Sequence, residues 1–421
     1  QDADGPIPKI NVSVKMTAVY SQINDKDWDN TKKMIKERLR PIFKKGMDTG
    51  VFINLDMEHY GVKHLTVDVF KELLLEPEFR NYRFFGCVVQ AYLRDSLKDV
   101  HDLIQFSQER GTPFTIRLVK GAYWDSETIE AKQKGWDIPV YLNKAESDAN
   151  YEKCINTIFD HYKTIRVAVA SHNVRTIAAA IVKAESVGIP KNAFEIQMLY
   201  GMAEPIKKSL SDMGYRVREY APVGDLLPGM AYLVRRLLEN TSNESWLRGK
   251  FADGKTTAEL MKDPAQDLIE TSPKVNLKPH LFFNEPLLDF AVSDVREKTL
   301  AALKNFKAQM PYNVQPVIEG KSVANQNIFN RVNPSATSEV VASIHMADIT
   351  QASMAMNAAQ VAFKTWKKVS AIDRAAILDK AANIMVRDRY KLMATQIIEV
   401  GKPWAEADGD VAEAIDFCMY Y

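Results

Sequence analysis

The segment Phe114-Thr-Ile-Arg-Leu-Val-Lys-Gly-Ala-Tyr-Trp-Asp125 carries the strongest fold signal in this chain. Its first six residues predict a buried β-strand that ends in a turn containing Lys120, Gly121 and two aromatic residues. A buried charge costs several kcal/mol unless an anion compensates it. Arg117 and Lys120, beside a glycine that allows close backbone approach and two flat aromatic faces, therefore predict a large, planar, anionic ligand.

Six similar apolar runs lie elsewhere in the first half of the chain, separated by amphipathic helical patterns. The runs are Ile10 to Met16, Val51 to Met57, Phe84 to Tyr92, Ile165 to Ala170, Phe194 to Leu199 and Tyr215 to Ala221. The helical patterns include Asp27 to Lys45, Val67 to Leu74, Ser96 to Gln108 and Val174 to Val187. This alternation predicts an α/β fold with a parallel sheet covered by helices, and so many repeats favour a (β/α)8 TIM-type barrel. Because such a barrel has eight strands, we expect its first strand and helix to lie upstream of Gln1.

Polar residues stand at the C-terminal ends of nearly all these runs, where barrel enzymes place their active sites. They are Lys15, Asp56, Gln90, Arg117, Lys120, Ser171, His172, Asn173, Gln197 and Tyr220. Each one alone is explained as well by a polar residue that fills a barrel layer or caps a helix. A ring of them on one rim predicts a ligand site.

A further helical pattern, Leu226 to Asn240, follows the last run. One face of this pattern is apolar, and the opposite face carries Tyr232, Arg235, Arg236 and Glu239. Such a face is usually solvated and holds only weak Arg–Glu pairs. Its position after the final strand also allows it to cover the barrel mouth and direct two guanidinium groups at a substrate carboxylate.

Composition changes twice along the remainder, which predicts three regions: a barrel at 1–240, a linker or arm at 241–314 and a second domain at 315–421. Within the linker, Pro279 to Phe290 is predicted to be an extended arm. The second domain begins with short strands at Val317 to Gly320, Ile328 to Val332 and Glu339 to Ile344. Helical patterns follow at Ile349 to Lys367, Ala371 to Tyr390 and Tyr390 to Val400, and the sequence stops within another.

Composition excludes several classes of protein. The 421 residues are 46% hydrophobic, which suits two or three domains with substantial cores. A net charge of +1 argues against a nucleic-acid partner. Cys87, Cys154 and Cys418 show no metal-ligand spacing and indicate a reducing compartment. No apolar run approaches the roughly 18 residues of a membrane-spanning helix, so we expect a soluble protein. Together with the cysteine pattern, this predicts a cytoplasmic protein without a metal.

Five motifs occur in the order found in the proline dehydrogenase family. They are Arg-Leu-Val-Lys-Gly-Ala-Tyr-Trp-Asp (117–125), Ala-Ser-His-Asn (170–173), Tyr-Gly-Met-Ala-Glu-Pro (200–205), Tyr-Ala-Pro-Val-Gly (220–224) and Tyr-Leu-Val-Arg-Arg-Leu-Leu-Glu-Asn (232–240). The chain resembles this family in its bifunctional bacterial form, the flavoenzymes of the proline utilization A type. Its tail, through Asn333-Pro334-Ser335 and Gly401-Lys402-Pro403, resembles the start of an aldehyde dehydrogenase domain. The resemblance implies a distorted (β/α)8 barrel that binds FAD and whose last helix lies over the mouth.

The resemblance also implies a role for each strand-end residue. Arg235, Arg236 and Lys15 would bind the proline carboxylate, and Asp56 would orient the basic groups. The residues that would pack around the pyrrolidine ring are Tyr220, Tyr232 and Leu199. Those that would contact FAD are Gln90, Arg117, Lys120, Ala122, Trp124, Ser171, His172, Asn173, Gln197 and Glu239. Since the barrel part has no Gly-x-Gly-x-x-Gly fingerprint, FAD would have to be recognised by such strand-end side chains.

The implied reaction is FAD-dependent oxidation of L-proline to 1-pyrroline-5-carboxylate by hydride transfer. In the full-length enzyme an NAD-dependent aldehyde dehydrogenase half would carry the product on to glutamate. The resemblance further implies a membrane quinone as electron acceptor, peripheral contact with the inner membrane and a homo-oligomer when the protein is full length.

Two alternatives stay open. One is a flavin-free lyase for a carboxylate substrate that uses Lys15 or Lys120 as a Schiff-base amine. The other is a non-catalytic fragment that serves for docking or dimerisation, because the catalytic cysteine of aldehyde dehydrogenases lies much further downstream than Cys418.

Overall fold

A computed structural model describes residues 5–225, 227, 229–230, 232, 234, 256–267 and 282–421 of the chain. The chain divides into two units. The first contains Gln1–Ala131 and Ile138–Asn276, and the second contains Lys132–Asp137 and Leu277–Tyr421.

The seven apolar runs form the seven parallel strands of the first unit, and these pair in chain order. They are β1 (Asn11–Val14), β2 (Phe52–Leu55), β3 (Phe85–Gln90), β4 (Thr115–Val119), β5 (Arg166–Ala170), β6 (Glu195–Leu199) and β7 (Arg216–Tyr220). Every residue of β2 and β3 is buried, as expected for a parallel sheet covered on both faces. All seven predicted strands are confirmed.

In the part of the chain that the structure describes, eight α-helices follow the strands β1 to β6 of this sheet, and two short ones, the last two named here, come after β7. They are α1 (Met16–Val19), α2 (Trp28–Thr49), α3 (Lys63–Leu75), α4 (Ser96–Arg110), α5 (Trp124–Lys134), α6 (Lys144–Asp160), α7 (Val174–Ser186), α8 (Glu204–Asp212), α9 (Thr257–Leu260) and α10 (Pro264–Asp267). Aromatic side chains such as Phe43, Phe70 and Phe85 are fully buried between helices and strands. Among the described helices, none is long and apolar enough to cross a membrane.

Side chains that bridge distant strands show that the sheet is strongly curled. Arg117 on β4 donates to Ser13 Oγ on β1 at 2.7 Å, although three strand spacings would separate these strands by about 14 Å in a flat sheet. Arg218 on β7 donates to the carbonyl of Lys9, just before β1, at 2.9 Å. The curl brings the first and last strands towards each other, as in a (β/α)8-type barrel. The predicted fold class is confirmed.

The second unit contains two small sheets and five helices among its described residues. The strands are β8 (Tyr312–Val314), β9 (Val317–Ile318), β10 (Lys321–Ser322), β11 (Ile328–Asn333) and β12 (Ala336–His345). The helices are α11 (Ser293–Ala308), α12 (Ile349–Trp366), α13 (Ala371–Arg387), α14 (Arg389–Val400) and α15 (Trp404–Tyr420). β12 pairs antiparallel with β11 and parallel with β8. Sequence analysis did not predict α11, which lies in the segment interpreted as a linker.

Residues 282–290, the described part of the predicted arm, form neither helix nor strand. Carboxylates of α15 bind the arm's backbone. Asp416 accepts from the Glu285 N–H at 2.6 Å, and Asp408 accepts from the Leu288 N–H at 2.8 Å. Arg389, which is 6% exposed, donates to Asp408 at 2.7 Å and to the Glu285 carboxylate at 2.9 Å. These bonds fix an otherwise irregular segment within the second unit.

Candidate active site

A hydrogen-bonded group of four residues, which we call the mouth cluster, consists of Ser13, Asp56, Arg117 and Tyr220. Arg117 Nη1 donates to Asp56 Oδ1 at 2.6 Å, and Arg117 Nη2 donates to Ser13 Oγ at 2.7 Å. Tyr220 Oη donates to the other carboxylate oxygen of Asp56 at 3.1 Å. The Arg117 guanidinium also lies 5.4 Å from the centre of the Tyr220 ring. Four different chain segments of the barrel thus contribute to one cluster.

Burial affects both the Tyr220 phenol and the Arg117 guanidinium of the mouth cluster. Burial, together with the nearby Asp56 carboxylate, raises the pKa of the Tyr220 phenol, so Tyr220 stays a neutral donor. Arg117 is only 7% exposed. Its Nε is buried and has no hydrogen-bond partner among the described residues. Because a buried donor without an acceptor is costly, this atom is well suited to a ligand that carries acceptor atoms.

Lys120, the second cation of the segment Phe114 to Asp125, forms an ion pair with a helix residue. Its ammonium pairs with Asp148 of α6, which also accepts from Lys144 at 2.7 Å. Burial lowers the pKa of Lys120, while Asp148 acts in the opposite direction. The inference that Arg117 and Lys120 lack a protein anion is therefore wrong, because Asp56 and Asp148 compensate the two charges.

The turn after β4 is held by packing of Tyr92 against Gly121. Gly121 has φ +140°, and a Cβ at this position would lie 2.5 Å or less from three atoms of the Tyr92 ring. The Tyr92 N–H donates to the Lys120 carbonyl at 2.7 Å. Beyond the glycine, Ala122 is exposed, and Trp124 is 41% exposed with its Nε1 donating to the Tyr141 carbonyl at 2.9 Å. The turn therefore presents Ala122 and Trp124 outward from a fixed backbone.

Two buried glutamines, Gln90 at the end of β3 and Gln197 in the middle of β6, bind protein groups. Gln90 Nε2 donates to the Glu58 carbonyl at 3.0 Å. Gln197 Nε2 donates to Glu195 at 2.6 Å, and Glu195 also accepts from Arg218 at 3.0 Å. These contacts of Gln197 are those of a polar residue filling a barrel layer, which is the structural alternative considered from the sequence.

The segment after β5 is organised by its own hydrogen bonds. His172 Nε2 accepts from the Leu199 N–H at 2.9 Å, which links the ends of β5 and β6. Ser171 Oγ accepts from the Asn173 N–H at 3.1 Å. Asn173 Oδ1 accepts from the Thr176 N–H at 3.1 Å and so caps α7. The structure therefore gives Asn173 a capping role, and a contact of these residues with FAD stays a prediction.

The helix predicted at Leu226 to Asn240 to cover the barrel mouth, which we call the lid, is described only in part. Leu227, Gly229, Met230, Tyr232 and Val234 are helical. The Tyr232 ring stacks on Tyr220 with centroids 6.2 Å apart, which places this residue of the helix beside the mouth cluster. Arg235, Arg236 and Glu239 lie outside the described residues, and their roles stay predictions.

Sequence analysis missed four residues that shape this site: Ser13, Glu58, Tyr92 and Asp148. Ser13 and Lys15 are two residues apart at the end of one strand run, so strand periodicity could have identified Ser13. Glu58 follows Asp56 by two residues and carried a similar signal. Asp148 lies on a helix, and nothing local in the sequence indicates that it pairs with Lys120.

Comparisons with known proteins agree with this geometry of a parallel barrel with a polar mouth. Residues 1–249 match the family model described as proline dehydrogenase, and residues 321–421 match that of the aldehyde dehydrogenase family. The first match covers more than half of the chain. The chain belongs to the proline dehydrogenase family.

Relatives of known sequence or structure share both parts. The bifunctional protein PutA of Escherichia coli K12 is 30% identical over 431 residues, which cover 97% of this chain and 32% of that protein. Proline utilization A from Bdellovibrio bacteriovorus, in a crystal structure inactivated by N-propargylglycine, is 65% identical with a TM-score of 0.96, covering 100% of this chain and 44% of that one. Proline utilization A from Corynebacterium freiburgense is 29% identical with a TM-score of 0.73, covering 97% of this chain and 38% of that one. The chain thus spans about a third of the length of the curated relatives that match nearly all of it.

Proposed function

We propose that this chain oxidises L-proline to 1-pyrroline-5-carboxylate by hydride transfer to FAD. We propose further that it does so as part of a bifunctional enzyme whose NAD-dependent aldehyde dehydrogenase half forms glutamate. The observation that supports this most is the mouth cluster, which holds a buried arginine and a neutral tyrosine at the C-terminal ends of the strands of a proline dehydrogenase barrel.

The residues present are compatible with FAD. The buried Nε of Arg117, which has no acceptor among the described residues, fits a ligand rich in oxygen and nitrogen acceptors. Gln90, Lys120, Ala122, Trp124, Ser171, His172, Asn173, Gln197 and Glu239 are the further residues proposed to hold it. Bound FAD would supply the hydride acceptor.

The substrate roles are divided between cations and aromatic rings. Lys15, Arg235 and Arg236 are proposed to bind the carboxylate of L-proline, which fixes the orientation of the ring. The stacked rings of Tyr220 and Tyr232, with Leu199, would exclude water from the C–H bond that breaks. Asp56 orients this arrangement by accepting from both Arg117 and Tyr220.

An absorbance experiment tests the proposal. The purified chain, after addition of FAD and gel filtration, is expected to retain visible flavin bands, and anaerobic L-proline is expected to bleach them. D-Proline, which places its carboxylate differently, is the control and should bleach the bands far more slowly. A chain that retains no flavin, or retains flavin that L-proline does not reduce, contradicts the proposal.

Substitution of the two lid arginines tests the carboxylate site. Arg235→Met and Arg236→Met are each expected to raise the KM for L-proline at least about thirtyfold while FAD stays bound, because losing one partner of a buried charge pair costs about 2–5 kcal/mol. Steady-state kinetics and the flavin content of each variant provide the measurement.

Arg387→Met is the matched control for the lid variants, since Arg387 is exposed on the second unit and, among the described residues, pairs only with its neighbour Asp388. Its kinetics should equal those of the wild type. Proline kinetics that are unchanged in both lid variants would remove these arginines from the carboxylate site.

Partners and location are extensions of the same proposal. A membrane quinone would accept the electrons, so the full-length protein would be cytoplasmic with peripheral contact at the inner membrane. We also propose a homo-oligomer for the full-length protein. Neither alternative function is favoured: the family match argues against a flavin-free lyase, and the Lys120 amine that a lyase would use is paired with Asp148.

A further inference from the structure

The turn that carries Lys15 is fixed by residues outside the predicted site. Lys15 follows β1 and is the N-cap residue of the four-residue helix α1. Its ammonium group has no hydrogen bond or ion pair with any residue that the structure describes. Met16 is fully buried and anchors the apolar side of the turn. A lysine that binds a small carboxylate must be held in one position. The buried Met16 fixes only the apolar side of the turn, so its polar side needs a second attachment.

Glu58 supplies this second attachment. Its Oε1 accepts from the Thr17 hydroxyl at 2.6 Å, and its Oε2 accepts from the Thr17 N–H at 3.2 Å. Both oxygens of one carboxylate therefore hold a single residue, two positions after Lys15. Two simultaneous bonds restrain rotation of the turn more than either bond alone, because they fix the Thr17 backbone and side chain together.

Glu58 is also tied to the neighbouring strand ends. It is 8% exposed, follows β2 and pairs with no basic residue among the described residues. Its carbonyl accepts from Gln90 Nε2 at the end of β3 at 3.0 Å. A chain of hydrogen bonds thus runs from Thr17 through Glu58 to Gln90, across the ends of β1, β2 and β3. Burying a carboxylate costs free energy unless hydrogen bonds offset the cost. For Glu58 the offsetting hydrogen bonds come from Thr17, in the turn that carries Lys15.

We propose that Glu58 and Thr17 are positioning residues that present Lys15 to the carboxylate of the substrate. This inference rests on the proposed function, because it assigns Lys15 to the proline carboxylate. Neither residue needs to contact the substrate or the cofactor. Their effect is expected in substrate affinity and not in the chemical step.

Kinetics of two variants test the proposal. Thr17→Val keeps the shape of the side chain and removes its hydroxyl, and Glu58→Gln removes the charge that accepts both bonds. Each is expected to raise the KM for L-proline about tenfold, as for loss of a hydrogen bond to a charged group. The kcat and the FAD content should change less than about twofold. Thr17→Ser, which keeps the hydroxyl, should restore most of the affinity.

Thr157→Val is the matched control, since Thr157 is half-buried on α6 and, among the described residues, its hydroxyl bonds only its own helix, at the Lys153 carbonyl. Its kinetics should equal those of the wild type. Isothermal calorimetry with cyclopentanecarboxylate, which keeps the ring and the carboxylate but cannot be oxidised like proline, gives a second measurement without turnover. The order of affinities among the variants should be the same.

A double-mutant cycle with Lys15→Met separates positioning from general damage. If Glu58 acts through Lys15, Glu58→Gln has no further effect on KM or on binding in the Lys15→Met background. An equal effect in both backgrounds, an unchanged KM in the single variants, or loss of FAD in parallel with KM overturns the proposal. A wild-type chain that does not oxidise L-proline overturns the proposed function instead, whereas an active wild type with unaffected variants overturns only the positioning role.

Discussion

Asp56→Ala is expected to destabilise the barrel mouth by about 3–5 kcal/mol and to abolish proline oxidation. The reason is that Arg117, 7% exposed, would keep its charge and lose the carboxylate that lies 2.6 Å away. Tyr220 would lose its acceptor at the same time. Hydrogen exchange of peptides covering β1 and β4 measures the loosening, with peptides of the second unit as an internal reference.

Asp102→Ala is the matched control, because it removes an exposed carboxylate from an i, i+4 pair with Lys98. Such surface pairs contribute only about 0.3–0.5 kcal/mol, so exchange should hardly change. Asp56→Asn should fall between the two, since it keeps an acceptor of similar shape. Equal exchange in Asp56→Ala and Asp102→Ala would show that the mouth cluster contributes nothing to stability.

Gly121→Ala is expected to displace the turn after β4 and to release FAD. The new Cβ would overlap the Tyr92 ring, which is 4% exposed and has no room to move away. Overpacking costs about 1–3 kcal/mol, and a non-glycine residue at φ +140° adds about 1–3 kcal/mol of backbone strain. Flavin content after gel filtration and the melting temperature are the measurements.

Gly111→Ala separates the two contributions. Gly111 also has a positive φ, +76°, but nothing lies within 4 Å of the position that its Cβ would occupy. This control should lose a little stability and keep its flavin. If Gly121→Ala behaves like Gly111→Ala, then packing of Tyr92 does not fix the turn.

The strands could be predicted from the sequence because a parallel sheet buried on both faces requires continuous apolar runs. The helix α11 was missed because only Thr299 and Phe306 are buried along it and charged residues interrupt its apolar positions. Such a composition is also typical of a linker. The residues that α11 packs inward, Val295, Leu303 and Phe306, do lie at helical spacing, but this narrow stripe was interpreted as part of a linker.

In the candidate site, too, some features could be predicted from the sequence and others could not. The strand-end rule selected Asp56, Arg117 and Tyr220, and the structure brings all three together. It could not show that Arg117 binds Ser13, because that contact depends on the curl of the sheet. Lys120 was interpreted as a charge in need of a ligand, since its partner Asp148 comes from a helix that a strand-based argument does not consider.

The arm at 282–290 has a practical consequence for the design of truncated variants. By composition it resembles a disposable spacer, and an expression boundary just after Phe290 would look safe. Such a cut would remove the amides that Asp408 and Asp416 bind and the Glu285 carboxylate that Arg389 binds. A shortened protein that is to keep these bonds should therefore begin before residue 282, although it would still lack Lys132–Asp137, which also belong to the second unit.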